Sequence, residues 1–181
     1  TSLDPAMGTG GDYAAIQVFE LPSFEQVAEW HHNTTPMNHQ VRILQQINKH
    51  IHDAIMEKDQ TASPQIFYSM ENNSIGEAAL LRVMDIGEEN IPGMFLSEPI
   101  RKGHRRKFRR GFNTTAKHKI DACTKFKELV ENDKMKLNSQ LLISELKDFV
   151  ASGMSYNAKP GQHDDLVSAC LLMTRMIKTL A

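Results

Sequence analysis

The order in which strand and helix patterns follow one another is the strongest constraint on the fold of this chain. Residues 1–32 contain three short strand patterns, separated by a glycine-rich turn at residues 8–11 and by Pro22-Ser23. Apolar residues then recur at helical spacing over residues 36–58, and a strand pattern follows at 65–71. An antiparallel meander that leads into a strand–helix unit predicts an α/β fold with a mixed central sheet flanked by helices.

The rest of the chain is predicted to be mostly helical. Helices are expected from Asn72-Asn73 to about residue 84, and over residues 114–132, 139–150 and 163–180. A short strand is expected at 91–96, whereas residues 98–113 and 153–162 are polar and are expected to be connections. The 181 residues suffice for a sizeable core, so we expect a single domain over residues 1–181.

Acidic side chains stand at the ends of several predicted elements. Asp4 ends the first strand, Glu71 ends the strand at 65–71, Asp12 begins the second strand, and Asp164 and Asp165 begin the last helix. Each one alone has a simpler explanation, since an Asp is a common helix cap and often precedes a proline in turns. Their joint placement at element ends that can adjoin in one sheet favours a shared site.

The helical repeat separates the two acidic residues at the start of the last helix. Asp165 shares its helix stripe with Ala169 and Leu172, which are apolar, whereas Asp164 shares a more mixed stripe with Arg175. The apolar stripe is expected to face the sheet. Asp165 is therefore predicted to point towards Asp4 and Glu71, with the small Ala169 allowing close approach.

The acidic set is suited to divalent cations. Phosphodiester hydrolysis needs an activated water and a stabilised leaving oxygen, which two cations about 3.5–4 Å apart can provide. Carboxylates without Cys or His favour one or two Mg²⁺ or Mn²⁺ ions over Zn²⁺. His31 and His32 have no partner at ligand spacing, so no metal site is predicted there. His163 precedes the acidic pair and is a candidate for proton transfer, although a polar cap is simpler.

Three acidic segments occur in a fixed order: LDPAMGTGGDYAA at residues 3–15, YSMENNSIG at 68–76 and GQHDDLV at 161–167. Together they resemble the nuclease motifs of tailed-phage terminase large subunits, most closely the T-even-like myovirus branch, and the resemblance spans the whole chain. It implies the ribonuclease H-like fold, with which the predicted strand order agrees. It also implies that Asp4, Glu71 and Asp165 are catalytic metal ligands, and that Asp12 and Asp164 are auxiliary.

The resemblance further implies a role in viral genome packaging. The expected activity is two-metal-ion cleavage of concatemeric double-stranded DNA in the host cytoplasm. The expected partners are duplex DNA, the portal, the small terminase subunit and an ATPase domain preceding residue 1. Residues 8–11 lack the Gly-Lys-Ser/Thr of a phosphate loop, so ATP hydrolysis is not expected here. No run of about 18 apolar residues occurs, so no membrane association is expected.

Positive charge is concentrated in one segment. Nine of the 21 Lys and Arg residues lie between positions 101 and 119. They are Arg101, Lys102, Arg105, Arg106, Lys107, Arg109, Arg110, Lys117 and Lys119. Such a cluster predicts contact with DNA phosphates rather than base reading. The simpler alternative is a solvated basic loop.

Two other functions fit parts of the same pattern. A Holliday-junction-resolvase-like or transposase-like nuclease could use the same scaffold, although all three motifs match terminases. A non-catalytic module could grip DNA or the portal through residues 98–119. Carboxylates repel phosphate, so the acidic set counts against a surface that only grips DNA.

Overall fold

A five-stranded mixed sheet forms the centre of the protein in a computed structural model, which describes residues 1–99, 110–153 and 155–180. Its strands are β1 (Ser2–Asp4), β2 (Ala14–Glu20), β3 (Glu25–His32), β4 (Phe67–Met70) and β5 (Met94–Phe95). They lie in the order β3-β2-β1-β4-β5. β2 runs antiparallel to both β1 and β3, whereas β4 runs parallel to both β1 and β5. The predicted α/β fold with a mixed sheet is confirmed.

Different helices cover the two faces of the sheet. α1 (Met37–Lys58) and α2 (Ser74–Ile86) pack on one face, against a core that includes Leu3 and Tyr68. α3 (Ala116–Glu131), α4 (Gln140–Asp148) and α5 (Asp165–Leu180) pack on the other, against Ala15 and Phe19. Of the helices in the described residues, none has both the length and the apolar character needed to cross a membrane.

α5 lies directly against β1. The Ser2 hydroxyl donates a hydrogen bond of 2.8 Å to the carbonyl oxygen of Ala169. The small side chain of Ala169 lets the helix come this close to the strand. Ala169, Leu172 and Met176 are all buried. The prediction that the apolar stripe of Asp165 faces the sheet is therefore confirmed.

A short strand pair covers the end of the predicted fourth helix and part of the predicted connection at 153–162. α4 ends at Asp148 rather than at residue 150, and β6 (Phe149–Ser152) pairs with β7 (Ser155–Ala158) in an antiparallel hairpin. The prediction of an irregular connection over 153–162 is thus wrong for β7. Strands of four residues are too short to show a period, and contacts distant in sequence hold them. The Phe149 and Tyr156 rings stack 6.3 Å apart, and Lys119 Nζ lies 5.5 Å from the Phe149 ring centre.

The start of α2 is fixed against Glu71. The Asn73 side chain accepts hydrogen bonds from the amides of Ile75 and Gly76, as predicted for a cap at this position. Its Nδ2 donates to Glu71 Oε2 at 2.8 Å. A Cβ at position 76 would lie 1.8 Å from the Glu71 carbonyl oxygen, so only glycine lets the helix begin this close.

We expect Gly76→Ala to destabilise the domain, although alanine favours helix by about 1 kcal/mol in an open position. The clash with the Glu71 carbonyl should outweigh that gain and lower the thermal midpoint by about 4–8 °C, or about 2 kcal/mol for a domain of this size. Gly11→Ala is the matched control, because a Cβ there meets no atom within 4 Å. An unchanged midpoint in Gly76→Ala, measured by calorimetry, would contradict the close approach.

Candidate metal centre

Neighbouring strands place one side chain each in a row across the face of the sheet that α5 covers. The strand register pairs Asp4 with Ala15, and Ala15 with His31. The parallel register of β1 with β4 brings Glu71 next to Asp4. Side chains opposite one another on adjacent strands share a face of the sheet. The row therefore reads His31, Ala15, Asp4, Glu71, with neighbouring Cα atoms about 5 Å apart.

Asp4 and Glu71 form a carboxyl pair at the centre of the site. Both side chains are partly buried, and they lie within hydrogen-bonding range of each other. Burial raises the pKa of Asp4 well above its usual value, and the negative charges of Glu71, Asp165 and Asp164 raise it further. The side chain of Asn73, which caps α2, donates a hydrogen bond to Glu71 Oε2 and holds that carboxylate in place. The pair is a strong attractor for a cation.

Asp164 and Asp165 approach this pair from the start of α5. Burial, followed by the charge of Asp164, raises the pKa of Asp165 to about 6, although nearby His163 opposes the rise. Asp164 Oδ2 accepts a hydrogen bond of 3.2 Å from the amide of Ala158. Because both carboxylates act on the pKa of Asp4, the structure brings four of the five predicted acidic residues into one region: Asp4, Glu71, Asp164 and Asp165.

Asp12 and His163 lie at the edge of the acidic region. Asp12 is exposed in the turn before β2, and its charge contributes to the raised pKa of Asp165. His163 Nδ1 lies 3.5 Å from Asp165 Oδ2, and the His163 side chain is half exposed. The ring of His163 meets the Tyr13 ring edge-on at 5.0 Å. Asp12 and His163 therefore lie near the acidic residues, but neither belongs to the row of side chains that crosses the sheet.

The tightest set of potential ligands differs from the predicted one. Among the described residues, His31, Glu145 and Asp165 have ligand atoms that all lie within 4.8 Å of one another, whereas Asp4, Glu71 and Asp165 do not meet this spacing. Burial raises the pKa of Glu145 to about 7 and lowers that of His31. From the sequence, no metal site was predicted at His31, so this set was missed. Glu145 lies in α4, more than 100 positions away from His31 in the sequence.

A cavity of about 200 Å³ opens beside Glu71. Its lining includes three basic residues, His118, Lys119 and Arg175. Arg175 donates a hydrogen bond of 2.6 Å to Glu98 Oε1, which balances its charge. Lys119 Nζ lies 3.6 Å from Asp164 Oδ2 and points into the acidic region.

The predicted basic segment falls largely outside the described residues. Those not described are Arg101, Lys102, Arg105, Arg106, Lys107 and Arg109. Arg110 is ion-paired with Glu88, and its guanidinium lies over the Phe95 ring at 5.0 Å. Lys117 is exposed on the first turn of α3, and Lys119 lies in the cavity wall.

Comparisons with known proteins agree with this architecture. The sequence profile of the family described as Terminase RNaseH-like domain matches residues 1–176. A similar fold is found in the large terminase nuclease from thermophilic phage G20c with bound magnesium, with 16% identity, a TM-score of 0.62, and coverage of 96% of this chain and 79% of that one. The same nuclease with bound cobalt gives 17%, 0.62, 96% and 78%.

The large terminase nuclease domain of Thermus phage P74-26 is also similar, with 17% identity, a TM-score of 0.57, and coverage of 94% of this chain and 74% of that one. At these identities the solved structures show a shared fold. Membership follows from the sequence profile, which spans nearly the whole chain. This chain belongs to the terminase RNaseH-like domain family, the nuclease domains of phage large terminases, and has the ribonuclease H-like fold.

Proposed function

We propose that this domain is a divalent-metal-dependent endonuclease that cuts double-stranded viral DNA during genome packaging. The observation that carries the proposal is the gathering of Asp4, Glu71, Asp164 and Asp165 in one region, beside a cavity whose lining includes Lys119 and Arg175. The binding of magnesium and cobalt by the related G20c nuclease supports a divalent cation here. A surface that only gripped DNA would gain nothing from four carboxylates that repel phosphate.

The residues of the centre fit Mg²⁺ or Mn²⁺. Asp4 and Glu71 offer oxygen ligands, which hard cations prefer. Among the described residues, no positive side chain contributes to the pKa of Asp4, whereas Arg175 and Glu71 attract each other. Asp4, Glu71 and Asp165 would hold one or two cations, with Asp12 and Asp164 as auxiliary ligands. When bound, the cations would polarise the scissile phosphate and acidify the attacking water.

The surrounding residues orient this centre. Asn73 donates a hydrogen bond to one oxygen of Glu71, which limits rotation of that carboxylate. The Tyr13 amide lies near Asp165 and opposes the rise in its pKa. Lys119, in the cavity wall, is placed to attract the phosphate of the strand to be cut. His163 is exposed enough to exchange a proton with solvent and lies close enough to Asp165 to orient a water.

The path of the DNA is proposed from the described residues that flank the basic segment. The Glu98 amide donates to the Gly111 carbonyl at 3.0 Å, and the Phe112 amide donates to the Met70 carbonyl at 3.2 Å. Phe112 also forms a bridge with Glu71. The described residues on either side of the segment therefore lie next to Glu71. We propose that the duplex passes along this side of the domain.

The wider role follows from the family. We propose that this domain cuts concatemeric DNA in the host cytoplasm, together with an ATPase domain, the portal and the small terminase subunit. A junction-resolving nuclease on the same scaffold would prefer branched DNA, and a docking module would not cut at all. Both alternatives are outcomes of the experiments below.

We expect Asp4→Asn and Asp165→Asn to reduce Mg²⁺- or Mn²⁺-dependent nicking of plasmid DNA by about 100-fold or more, because each removes a metal ligand. Asp53→Asn is the matched control, since Asp53 is exposed on α1, on the opposite face of the sheet. Full activity in Asp4→Asn would refute the assigned centre. Faster cutting of four-way junctions than of linear duplex would favour a resolvase, and no cutting in either metal would favour a docking module.

We expect Asp4→Asn to stabilise the metal-free protein at pH 8, because it removes a half-buried charge beside Glu71. The thermal midpoint in EDTA should rise by about 2–8 °C, or about 1–2 kcal/mol. Burial and the neighbouring carboxylates raise the folded-state pKa of Asp4 above its unfolded value. Wild-type stability should therefore increase as the pH falls from 8 through that folded-state pKa, and the difference in thermal midpoint between the two proteins should narrow. Added Mg²⁺ should raise the midpoint of the wild type only. A lower midpoint for Asp4→Asn in EDTA at pH 8 would contradict this account.

We expect the triple variant Arg105→Gln, Arg106→Gln, Lys107→Gln to weaken binding to DNA of any sequence. If each residue contacts a phosphate, the slope of log affinity against log salt should fall by about three. The control variant carries Gln at Lys49, Lys58 and Arg82, on the helices of the opposite face. Equal slopes for the two variants, measured by fluorescence anisotropy, would argue against phosphate contact by the basic segment.

A further inference from the structure

An imidazole stands at the far end of the row that holds the carboxyl pair. We propose that His31, Glu145 and Asp165 form a second metal position, which takes a divalent cation that accepts nitrogen ligands, such as Zn²⁺ or Co²⁺. The three side chains come from β3, α4 and α5, and their ligand atoms lie within 4.8 Å of one another. Three ligand atoms at this spacing can be spanned by one cation.

Each of the three side chains is already oriented by the fold. Glu145 Oε2 accepts a hydrogen bond of 3.1 Å from the Val167 amide, which leaves Oε1 facing His31 Nε2 at 3.9 Å. The Tyr13 amide lies in hydrogen-bonding range of the Asp165 carboxylate. The Tyr13 ring stacks on the His31 imidazole, with ring centres 4.1 Å apart and an angle of 16° between the planes. The site therefore needs little reorganisation to bind an ion.

The atoms that face the gap lack partners. His31 Nε2 and Asp165 Oδ2 are both buried from solvent and make no hydrogen bond, and the nearest basic group to Asp165 Oδ2 that forms a pair with it, His163 Nδ1, lies 3.5 Å away. The distance of 3.9 Å between His31 Nε2 and Glu145 Oε1 is too long for a hydrogen bond. Buried polar atoms without partners are costly, and several converging on one point indicate a missing ligand. A cation between the three side chains would satisfy all of them.

The donor set distinguishes this position from the centre at Asp4 and Glu71. One imidazole with two carboxylates and an open position suits Zn²⁺ or Co²⁺, whereas carboxylates alone suit Mg²⁺. In the row across the sheet, His31 lies two strands from Asp4, a Cα separation of about 10 Å. The two positions are thus separate and are joined through Asp165, which either can use. The inference rests on the proposed nuclease function only through that shared ligand.

The test reads metallation directly, without activity. Histidine side chains of the chelator-treated domain are followed in ¹H–¹⁵N spectra during titration with Zn²⁺, and Zn²⁺ affinity is measured by calorimetry. We expect the His31 ring nitrogen to shift on binding while His32 does not. His31→Ala and Glu145→Gln should each lower the affinity by about 10-fold or more. His32→Ala is the matched control, because His32 is exposed and its Nδ1 pairs with Thr35 Oγ1 at 2.7 Å.

The outcomes separate this inference from the nuclease proposal. Asp4→Asn should lose Mg²⁺-dependent nicking and keep the Zn²⁺-induced shift of His31. If Zn²⁺ shifts the His31 ring nitrogen but the wild-type protein does not cut DNA, the second metal position is supported and the nuclease proposal is contradicted. An unshifted His31 ring, or Zn²⁺ affinity that falls in Asp4→Asn but not in His31→Ala, would overturn the second position while leaving the nuclease proposal intact.

Discussion

The mutual repulsion of carboxylates held at the ends of adjacent strands is the constraint on which the rest of this structure depends. Asp4 and Glu71 lie side by side because β1 and β4 run parallel and end together. Burying such charges opposes folding, so the sheet and its helices must supply the stability that keeps them together. The Ser2 bond to α5, the glycine at the start of α2 and the Asn73 cap all hold the backbone close to these residues.

The sequence could predict the features that depend on order along the chain. Strand ends and helix starts carry Asp4, Glu71 and the Asp164-Asp165 pair, and parallel neighbours bring such ends to one edge of the sheet. The helical stripe of Asp165 was likewise visible in its spacing to Ala169. These predictions needed only local periodicity and the pairing rules of a mixed sheet.

The features that the sequence could not predict depend on packing between distant elements. Glu145 lies within α4, with no motif around it. It meets His31 because Asn138, just before α4, is hydrogen-bonded to Gln26 of β3, and because α4 packs against α5. The hairpin of β6 and β7 is too short to show alternation, and aromatic stacking holds it. A His within a strand becomes a potential ligand only when the register places it beside a carboxylate from elsewhere.

The most direct test of the central claim is an anomalous diffraction experiment on crystals of the domain soaked in Mn²⁺. We predict a manganese peak next to the carboxylates of Asp4, Glu71 and Asp165, with Asp164 as an auxiliary ligand. Manganese bound only on remote surfaces, with the Asp4 and Glu71 carboxyls still in contact with each other and free of metal, would contradict it.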